Sequence, residues 1–395
     1  MKILIISPSD LPIPAVKGGA VETGIQQILQ ENEKAKENQI DIVSYFDEKA
    51  IVEARKYEHS KFYYYKCVKI DKLLNIFLRM IRRILKNENI QTRPLYCLYI
   101  SRVLKKNKYD AILLKNGGQY IEVCKKNSNA RIYYQLHNDF LNANTKDAKK
   151  IFNNVDTVVV NSEYIKRRVL TIDGADKERV RVNMNCLDGF NFIETSENEK
   201  KDWIEKFNIE KDKKYIIFVG RLIPQKGIKE LVQALSKLRN EDSWRLLIVG
   251  SKWFGKNKKT KYEKEIEKES TKIKDRIVFT GFIKREDIRK LYAISKIAVA
   301  PSMWEEPAGR VVLEAQSAGL PIILSDAGGM KEYATEESAI IVDRGKNFTD
   351  ELAKQILLLL NNDDLCEKMG KAGRENSKKY TTERYYREII EIMRK

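Results

Sequence analysis

The sequence has few of the residues that most often hold metal ions or form disulfides. Its 395 residues include only two histidines, His59 and His137, and this number excludes a histidine-rich metal site. The cysteines are scattered, odd in number and contain no C-x-x-C pair: Cys67, Cys97, Cys124, Cys186 and Cys366. This spacing indicates free thiols in a reducing cytosol and gives no signature of a zinc site.

Long apolar runs and the commonest nucleotide-binding glycine motifs are also absent. No uninterrupted apolar run approaches the ~20 residues that cross a bilayer. The first residues, MKILIISPSD, predict a β-strand rather than a signal peptide. Neither G-x-G-x-x-G nor G-x-x-x-x-G-K-[ST] occurs, which weakens a dehydrogenase or P-loop NTPase interpretation.

Acidic residues are too few to balance the basic ones. Lysine and arginine number 74 against 56 aspartates and glutamates, which gives a formal net charge of +18. Such an excess indicates an anionic partner, which is a nucleic acid, an acidic lipid surface or a phosphorylated substrate. A lysine-rich, AT-biased genome produces the same excess without any functional meaning, and both interpretations remain open at this point.

Short apolar runs alternate with helical patterns in both halves of the chain. The runs occupy 3–6, 40–44, 111–114, 132–136 and 157–161 in the first half, and 215–219, 245–249, 276–280 and 296–300 in the second. This alternation predicts an α/β architecture with buried parallel strands. A chain of this length is expected to form two domains, and the polar stretch 185–214 is the expected linker.

One segment, 61–108, is basic and aromatic. Its apolar residues recur at helical spacing: Leu73, Leu74, Phe77, Leu78, Ile81, Ile84 and Leu85. Its basic residues fill much of the remaining surface: Lys72, Arg79, Arg82, Arg83 and Lys86. The pattern predicts an amphipathic helix over 72–86, which either lies on anionic lipid or packs against its own domain with a solvated basic face.

The stretch FVGRLIPQKG, residues 218–227, places two cations after a strand. Arg221 follows the strand end at Gly220, and Lys226 lies in a short loop before a helix. Ligands of parallel sheets bind outside the carboxyl ends of the strands. Because Arg can bind two oxygens at once while Lys acts as a point charge, the pair suits a diphosphate. On its own, G-R-x4-K-G is also typical of a surface loop.

The stretch 301–332 carries two glutamates, Glu306 and Glu314, in an E-x7-E pattern. Pro307 disfavours helical backbone at Glu306, and Gly309 allows a ligand to approach the backbone. The helix that follows opens with N–H groups suited to anions. Eight helical residues span ~12 Å, so the two carboxylates could hold two ends of one small ligand. Alone, the pattern is also typical of two solvated acids.

Together, FVGRLIPQKG and EPAGRVVLEAQSAGLPII, followed by GG and a later Glu, resemble the retaining, nucleotide-sugar-dependent glycosyltransferases of family 4, the group 1 transferases. The likeness is strongest over 215–342 and extends through KGGAVE, QLHND and VVVNSEY. It implies the GT-B fold, in which two Rossmann-like domains with parallel sheets face each other across a deep cleft. Residues 1–188 would form the acceptor-side domain, with helix 378–395 packed back on it, and 189–377 the donor domain.

The resemblance implies roles for the two cations and the two acids. Arg221 and Lys226 would neutralise the donor diphosphate and stabilise the leaving group without a metal or other cofactor. Glu314 would accept hydrogen bonds from the ribose hydroxyls. Glu306 would accept them from hydroxyls of the transferred sugar.

Further roles follow from the same resemblance. Backbone N–H groups near Gly309 would hold sugar and phosphate. Gly18 and Gly19 match the family's N-terminal glycine loop, whose backbone approaches the phosphates and where a Cβ would obstruct that approach. His137, which without the family would be interpreted as structural, matches the histidine that contacts the donor sugar. Its neighbours at 138–139 could face the acceptor.

The family retains the anomeric configuration. A double displacement needs two carboxylates about 5–5.5 Å apart astride the bond, whereas both acids here belong to the donor-binding half. The resemblance therefore implies front-face attack through an oxocarbenium-like state, with a donor phosphate oxygen taking the acceptor proton. Two departures concern the sugar's fit: Ala308 replaces a common aromatic, and the usual N-G-[VI]-D turn is Asn185-Cys186-Leu187-Asp188.

The expected protein is a cytoplasmic, metal-independent hexosyltransferase that uses a UDP-sugar, or next a GDP-sugar, in envelope, capsular or spore-coat polysaccharide or glycolipid assembly. Its acceptor would be lipid-linked or a saccharide, and helix 72–86 would meet an anionic surface on the inner face of the plasma membrane. Base contacts are expected near Phe282 and Ile283. The alternatives are an epimerase-like enzyme of the same fold and, more remotely, a basic nucleic-acid-binding protein.

Overall fold

The computed structural model of the chain describes residues 1–8, 10–84, 92–250 and 260–395. These residues form two compact units. Unit 1 contains Met1–Met184 together with Thr382–Lys395, and unit 2 contains Asn185–Thr381. The boundaries lie at two places, because the chain leaves unit 1 after Met184 and returns to it at Thr382.

Unit 1 is built on a seven-stranded sheet in the order β3-β2-β1-β4-β5-β6-β7, in which every pairing is parallel. Its strands, numbered in chain order, are β1 Lys2–Ile6, β2 Gln39–Tyr45, β3 Ser60–Tyr65, β4 Ala111–Lys115, β5 Arg131–Leu136, β6 Thr157–Val160 and β7 Val180–Val182. Apart from one lysine at an end of each, the central strands β1 and β4 are apolar on both faces and buried, as parallel strands covered by helices require.

The helices of unit 1 follow the strands along the chain. They are α1 Ala20–Ala35, α2 Glu48–Ala54, α3 Lys69–Ile84, α4 Pro94–Lys106, α5 Ile121–Asn127, α6 Ala148–Asn153, α7 Glu163–Val169 and, from the end of the chain, α15 Thr382–Arg394. Helix α15 packs against α1, where Tyr386 Oη donates to Asn32 Oδ1 at 2.8 Å. Ile389, Ile390 and Met393 of the same helix are buried.

Unit 2 is built on a six-stranded parallel sheet in the order β10-β9-β8-β11-β12-β13. Its strands are β8 Lys214–Val219, β9 Trp244–Val249, β10 Ile277–Gly281, β11 Ile297–Ala300, β12 Ile322–Ser325 and β13 Ala339–Val342. Its helices are α8 Glu197–Lys206, α9 Ile228–Lys237, α10 Lys261–Glu269, α11 Arg285–Ala293, α12 Arg310–Ser317, α13 Phe348–Leu360 and α14 Asp363–Ser377. The reversal of strand order between β8 and β11 creates a switch point, where α/β sheets bind ligands.

These two parallel sheets confirm the predicted α/β architecture with two Rossmann-like halves. The stretch 185–214, predicted as a linker, instead lies in unit 2 and contains α8. A capping box between Ser196 and Glu199 starts this helix, and Trp203 buries its inner side. Charged residues on its outer side produced the linker-like composition.

The basic, aromatic segment 61–108 contains strand β3 and helices α3 and α4. The predicted helix 72–86 begins three residues earlier, at Lys69, and is described to Ile84; Leu85 and Lys86 lie outside the described residues. Tyrosines at successive positions of β3 concealed its alternation in the sequence. In the described part of the chain, no helix is long and apolar enough to cross a membrane.

Candidate functional site

The two sequence motifs of unit 2 interlock at the carboxyl ends of the neighbouring strands β8 and β11. The loop after β8 passes so close to Pro301 that a Cβ on Gly227 would lie 1.7 Å from the carbonyl oxygen of Pro301. Gly227 has a φ of +69°, which glycine adopts without strain. Met303 N also donates to Gln225 O at 2.9 Å. The loop 220–227 after β8 and the loop 301–309 after β11, which we call the glutamate loop, therefore pack against each other.

Lys226 and Glu306 are in direct contact within this structure. The Nζ of Lys226 lies 2.6 Å from Oε1 of Glu306, and Ser302 Oγ donates to the same oxygen at 2.6 Å. The Glu306 side chain is only 8% exposed, and a buried carboxylate requires compensation by a cation or hydrogen bonds. Both contacts end on Oε1, so Oε2 takes no part in them.

Gly328 and Gly329 pack closely against the backbone of the glutamate loop. Gly329 N donates to Glu306 O at 2.7 Å, and a Cβ on Gly328 would lie 2.4 Å from that same oxygen. A Cβ on Gly309 would lie 2.6 Å from Met330 O. Gly309, Gly328 and Gly329 thus allow close backbone packing, and this packing fixes the position of Glu306 in the loop after β11.

Glu314 lies near the middle of α12 and takes part in a network of ion pairs. Arg310 Nε donates to Glu314 Oε1 at 3.3 Å, and Arg310 Nη2 donates to Asp188 Oδ2 at 2.9 Å. Arg285 forms a second ion pair with Asp188. Burial raises the pKa of Glu314, an effect that Arg310 opposes and Asp188 reinforces.

The remaining charged residues near the two motifs are more exposed. Arg221 is exposed at the turn after β8. Glu305 forms an ion pair with Arg344, whose Nε donates to Asp326 O at 2.8 Å. Of the two neighbouring acids, only Glu306 is therefore buried against a motif cation.

Three predicted site residues, Gly18, Gly19 and His137, lie in unit 1. Gly18 and Gly19 both have positive φ, and a Cβ on Gly19 would lie 2.2 Å from Glu22 Oε2. His137 follows β5, and its N–H donates to Asn116 Oδ1 at 2.8 Å. Since β1 and β5 both flank β4 in parallel, the glycine loop and the histidine lie at the same edge of this sheet.

The structure thus distributes the predicted residues between the units. In unit 2, Lys226 and Glu306 are in contact, and Arg221, Gly309 and Glu314 lie on the same loops and on α12. Asp139, expected beside the acceptor, is engaged by Arg168 Nε at 2.8 Å. Within the described ranges, no cluster of three His, Cys, Asp or Glu side chains could hold a metal ion.

Sequence reasoning missed three residues of this arrangement. Ser302 carries no signal, because a serine after a strand is common. Arg310 is four residues before Glu314, a spacing typical of helical ion pairs, and could have been found. Asp188 was noted only as part of an altered turn, since its pairing with α12 is distant in sequence.

Two bacterial relatives align with almost the whole chain. Spore coat protein SA of Bacillus subtilis (strain 168) is 26% identical over 386 residues, which cover 95% of this chain and 94% of that protein. The putative glycosyltransferase YtcC of the same strain is 27% identical over 385 residues, which cover 95% and 87%.

Solved structures share the fold. A glycosyltransferase from Rickettsia africae ESF-5 has a TM-score of 0.78 at 20% identity and covers 100% of this chain and 97% of its own. Anabaena Alr3699/HepE, solved in complex with UDP-glucose, has a TM-score of 0.75 at 20% identity and covers 100% and 99%.

The fold and its relatives define the class of protein: a glycosyltransferase with the GT-B fold. Residues 199–376 match the family described as "Glycosyl transferases group 1". The resemblance inferred from the two motifs is therefore confirmed over this part of the chain, and the relatives that align with almost the whole chain support a glycosyltransferase.

Proposed function

We propose that the protein transfers a hexose-type sugar, with retention, from a nucleoside diphosphate sugar to an acceptor hydroxyl. The observation that carries this proposal is the buried contact between Lys226 and Glu306, with Glu314 on the helix that follows. A UDP-sugar is favoured, and the UDP-glucose bound to the structurally similar HepE supports this choice. A GDP-sugar comes next, which suits the name of one relative, a GDP-mannose-dependent mannosyltransferase of Corynebacterium glutamicum.

The proposed donor site uses each motif residue for one part of the ligand. Arg221 and Lys226 bind the diphosphate, and the ammonium of Lys226 has three donors, so it can serve Glu306 and a phosphate oxygen together. Glu314 accepts hydrogen bonds from the ribose hydroxyls, and Glu306 accepts them from the sugar. The N–H groups at Gly309 and the opening of α12 favour negative charge.

In this proposal Glu306 is a hydrogen-bond acceptor and not a nucleophile, because its Oε1 is already held by Lys226 and Ser302. Arg221 and Lys226 stabilise the charge that develops on the leaving diphosphate. A phosphate oxygen then takes the acceptor proton, and no metal is needed. Gly18, Gly19 and His137 of unit 1 are proposed to contact the phosphates and the transferred sugar.

We further propose a lipid-linked or saccharide acceptor in envelope, capsular or spore-coat assembly, with the enzyme on the inner face of the plasma membrane. The full-length similarity to a protein named for the spore coat supports the cellular setting. The excess of basic residues favours an acidic surface or a phosphate-bearing acceptor.

Sugar transfer can be tested with labelled UDP- and GDP-sugars incubated with a bacterial lipid extract and with oligosaccharides, in EDTA. We expect label to enter one acceptor fraction with an α-linkage from an α-donor. The Lys226→Gln protein should lose at least 100-fold of this activity (≥ ~2.7 kcal/mol). Glu305→Ala, the exposed neighbour of Glu306, is the matched control. Turnover of the nucleotide sugar without any acceptor would instead favour the epimerase-like alternative.

A further inference from the structure

Helix α3 concentrates exposed hydrophobic side chains. Of the 19 large hydrophobic side chains that are exposed among the described residues, six lie on this helix: Ile70, Leu73, Ile76, Phe77, Met80 and Ile84. Each is between 51% and 69% exposed. Contiguous exposed apolar surface on a soluble domain marks an interaction site, whereas scattered residues do not.

The spacing of these residues makes them one continuous strip. Ile70, Leu73, Phe77, Met80 and Ile84 are three and four residues apart, so they lie on one side of the helix. Leu74, Leu78 and Ile81, on the neighbouring side of the helix, are only partly exposed. Packing of α3 against its own domain would explain Leu74, Leu78 and Ile81, but it would not explain the exposed apolar strip.

Basic side chains border the apolar strip. Lys69, Lys72, Arg79 and Arg83 are exposed on the adjoining side of the helix. The only acidic residue of α3, Asp71, is buried and accepts hydrogen bonds from Tyr65 Oη at 2.6 Å and Val68 N at 2.8 Å. The outer surface of the helix is thus apolar and cationic.

The helix is also tied to the loop after β1, at the carboxyl edge of the unit 1 sheet. Arg79 Nη2 lies 3.7 Å from Asp10 Oδ2, and Arg93 Nη2 lies 3.1 Å from Asp10 Oδ1. Arg93 Nη1 further donates to Pro8 O at 3.2 Å. A surface bound by α3 would therefore lie beside the strand ends where ligands of parallel sheets bind.

We propose that α3 lies flat on an anionic membrane, with its apolar strip inserted at the level of the acyl chains and its basic side chains on lipid phosphates. This is the arrangement that amphipathic helices with a cationic polar face adopt at interfaces. The described residues of α3 include several charged side chains and are therefore too polar to cross a bilayer.

Two other occupants fit the helix less well. A second copy of α3 would bring the basic side chains of the two helices together, and like charges repel each other. A nucleic acid would be held by the basic side chains but would leave the apolar strip in water. Of these three partners, only an anionic membrane both buries the apolar strip and binds the basic side chains.

Membrane binding by α3 does not depend on catalysis. What it implies about the class of acceptor rests on the proposed function. A membrane held against α3 presents lipid-borne hydroxyls beside the strand ends of unit 1, so the acceptor class becomes a lipid-linked saccharide rather than a free one. Failure of vesicle binding would leave sugar transfer to a free saccharide intact, and the two proposals can therefore fail separately.

Flotation of the full chain with vesicles tests the docking. Wild type should float with phosphatidylcholine vesicles that contain phosphatidylglycerol, and high salt should weaken this binding. Replacing three cations (Lys69→Gln, Lys72→Gln and Arg83→Gln) should weaken binding roughly 100-fold, at about 5-fold for each charge. Replacing three apolar residues (Leu73→Ser, Phe77→Ser and Met80→Ser) should weaken it at least ~10-fold.

Matched controls separate the helix from general effects. Lys371→Gln, Lys378→Gln and Arg387→Gln remove the same charge from exposed positions elsewhere, and Val52→Ser, Leu98→Ser and Leu358→Ser remove exposed apolar groups elsewhere. Both control proteins should float like wild type, and all variants should keep their circular dichroism. The proposal is overturned if wild type does not float, if the controls lose binding equally, or if the serine variant instead abolishes a concentration-dependent dimer.

Discussion

At the scale of single residues, the proposed donor binding depends on the buried pair of Lys226 and Glu306. Lys226→Met should leave the buried carboxylate without its cation, and we expect the free energy of unfolding to fall by about 1–3 kcal/mol. Adding Glu306→Gln should restore most of that stability, because the charge is then gone, but it should not restore sugar transfer. Urea unfolding and activity of both proteins measure this; equal stability of wild type and Lys226→Met would contradict it.

If Glu314 binds the donor as proposed, donor affinity should depend on pH, and the direction of this dependence can be predicted. Its pKa is raised above the ordinary 4.5 by burial, so it protonates at a higher pH than an exposed glutamate as the solution is acidified. Donor affinity should therefore fall as pH falls through that raised pKa. Arg310→Gln should shift the midpoint upward and Asp188→Asn downward, because Arg310 lowers and Asp188 raises this pKa. Calorimetric titration with nucleotide across the acidic range checks the two directions.

At the scale of elements, the junction between the β8 loop and β11 depends on a missing side chain. Gly227→Ala places a Cβ at positive φ and within 1.7 Å of Pro301 O, so the loop must move. We expect a loss of about 1–3 kcal/mol in stability and a larger loss of donor affinity, since Lys226 moves with the loop. Gly189→Ala, where a Cβ meets nothing within 4 Å, is the control. Unchanged nucleotide binding by Gly227→Ala would show that the junction does not position Lys226.

The elements also show what could be predicted from sequence and what could not. The strands 111–114 and 215–219 were found because buried parallel strands are uniformly apolar. The loops that carry Lys226 and Glu306 could be predicted because each sequence motif directly follows the end of an apolar strand, β8 or β11. The pairing of Asp188 with Arg310 was missed because it joins residues 122 positions apart, and no local pattern carries such a contact.

At the scale of the whole molecule, the chain's end contributes to its first unit. Lys115, fully buried at the end of β4, donates to Tyr385 Oη at 2.8 Å, and Tyr133 Oη donates to Met393 O at 3.0 Å. Removing 382–395 should therefore unfold unit 1, because it exposes apolar surface and strips a partner from a buried ammonium. Removing only 394–395, which are exposed, should cost little. Limited proteolysis with peptide mapping compares the two deletions. If unit 1 remained protected after removal of 382–395, the assignment of α15 to unit 1 would be contradicted.

The most direct test of the account is calorimetric binding of UDP, GDP, ADP and their common sugar conjugates, in EDTA, to wild type and Glu314→Ala. We expect one nucleotide to bind in the micromolar range and to bind about tenfold or more weakly to the variant (≥ ~1.4 kcal/mol). Binding of none of them, or binding that is indifferent to Glu314, would contradict the proposed donor site and leave the glycosyltransferase fold without the chemistry assigned to these residues.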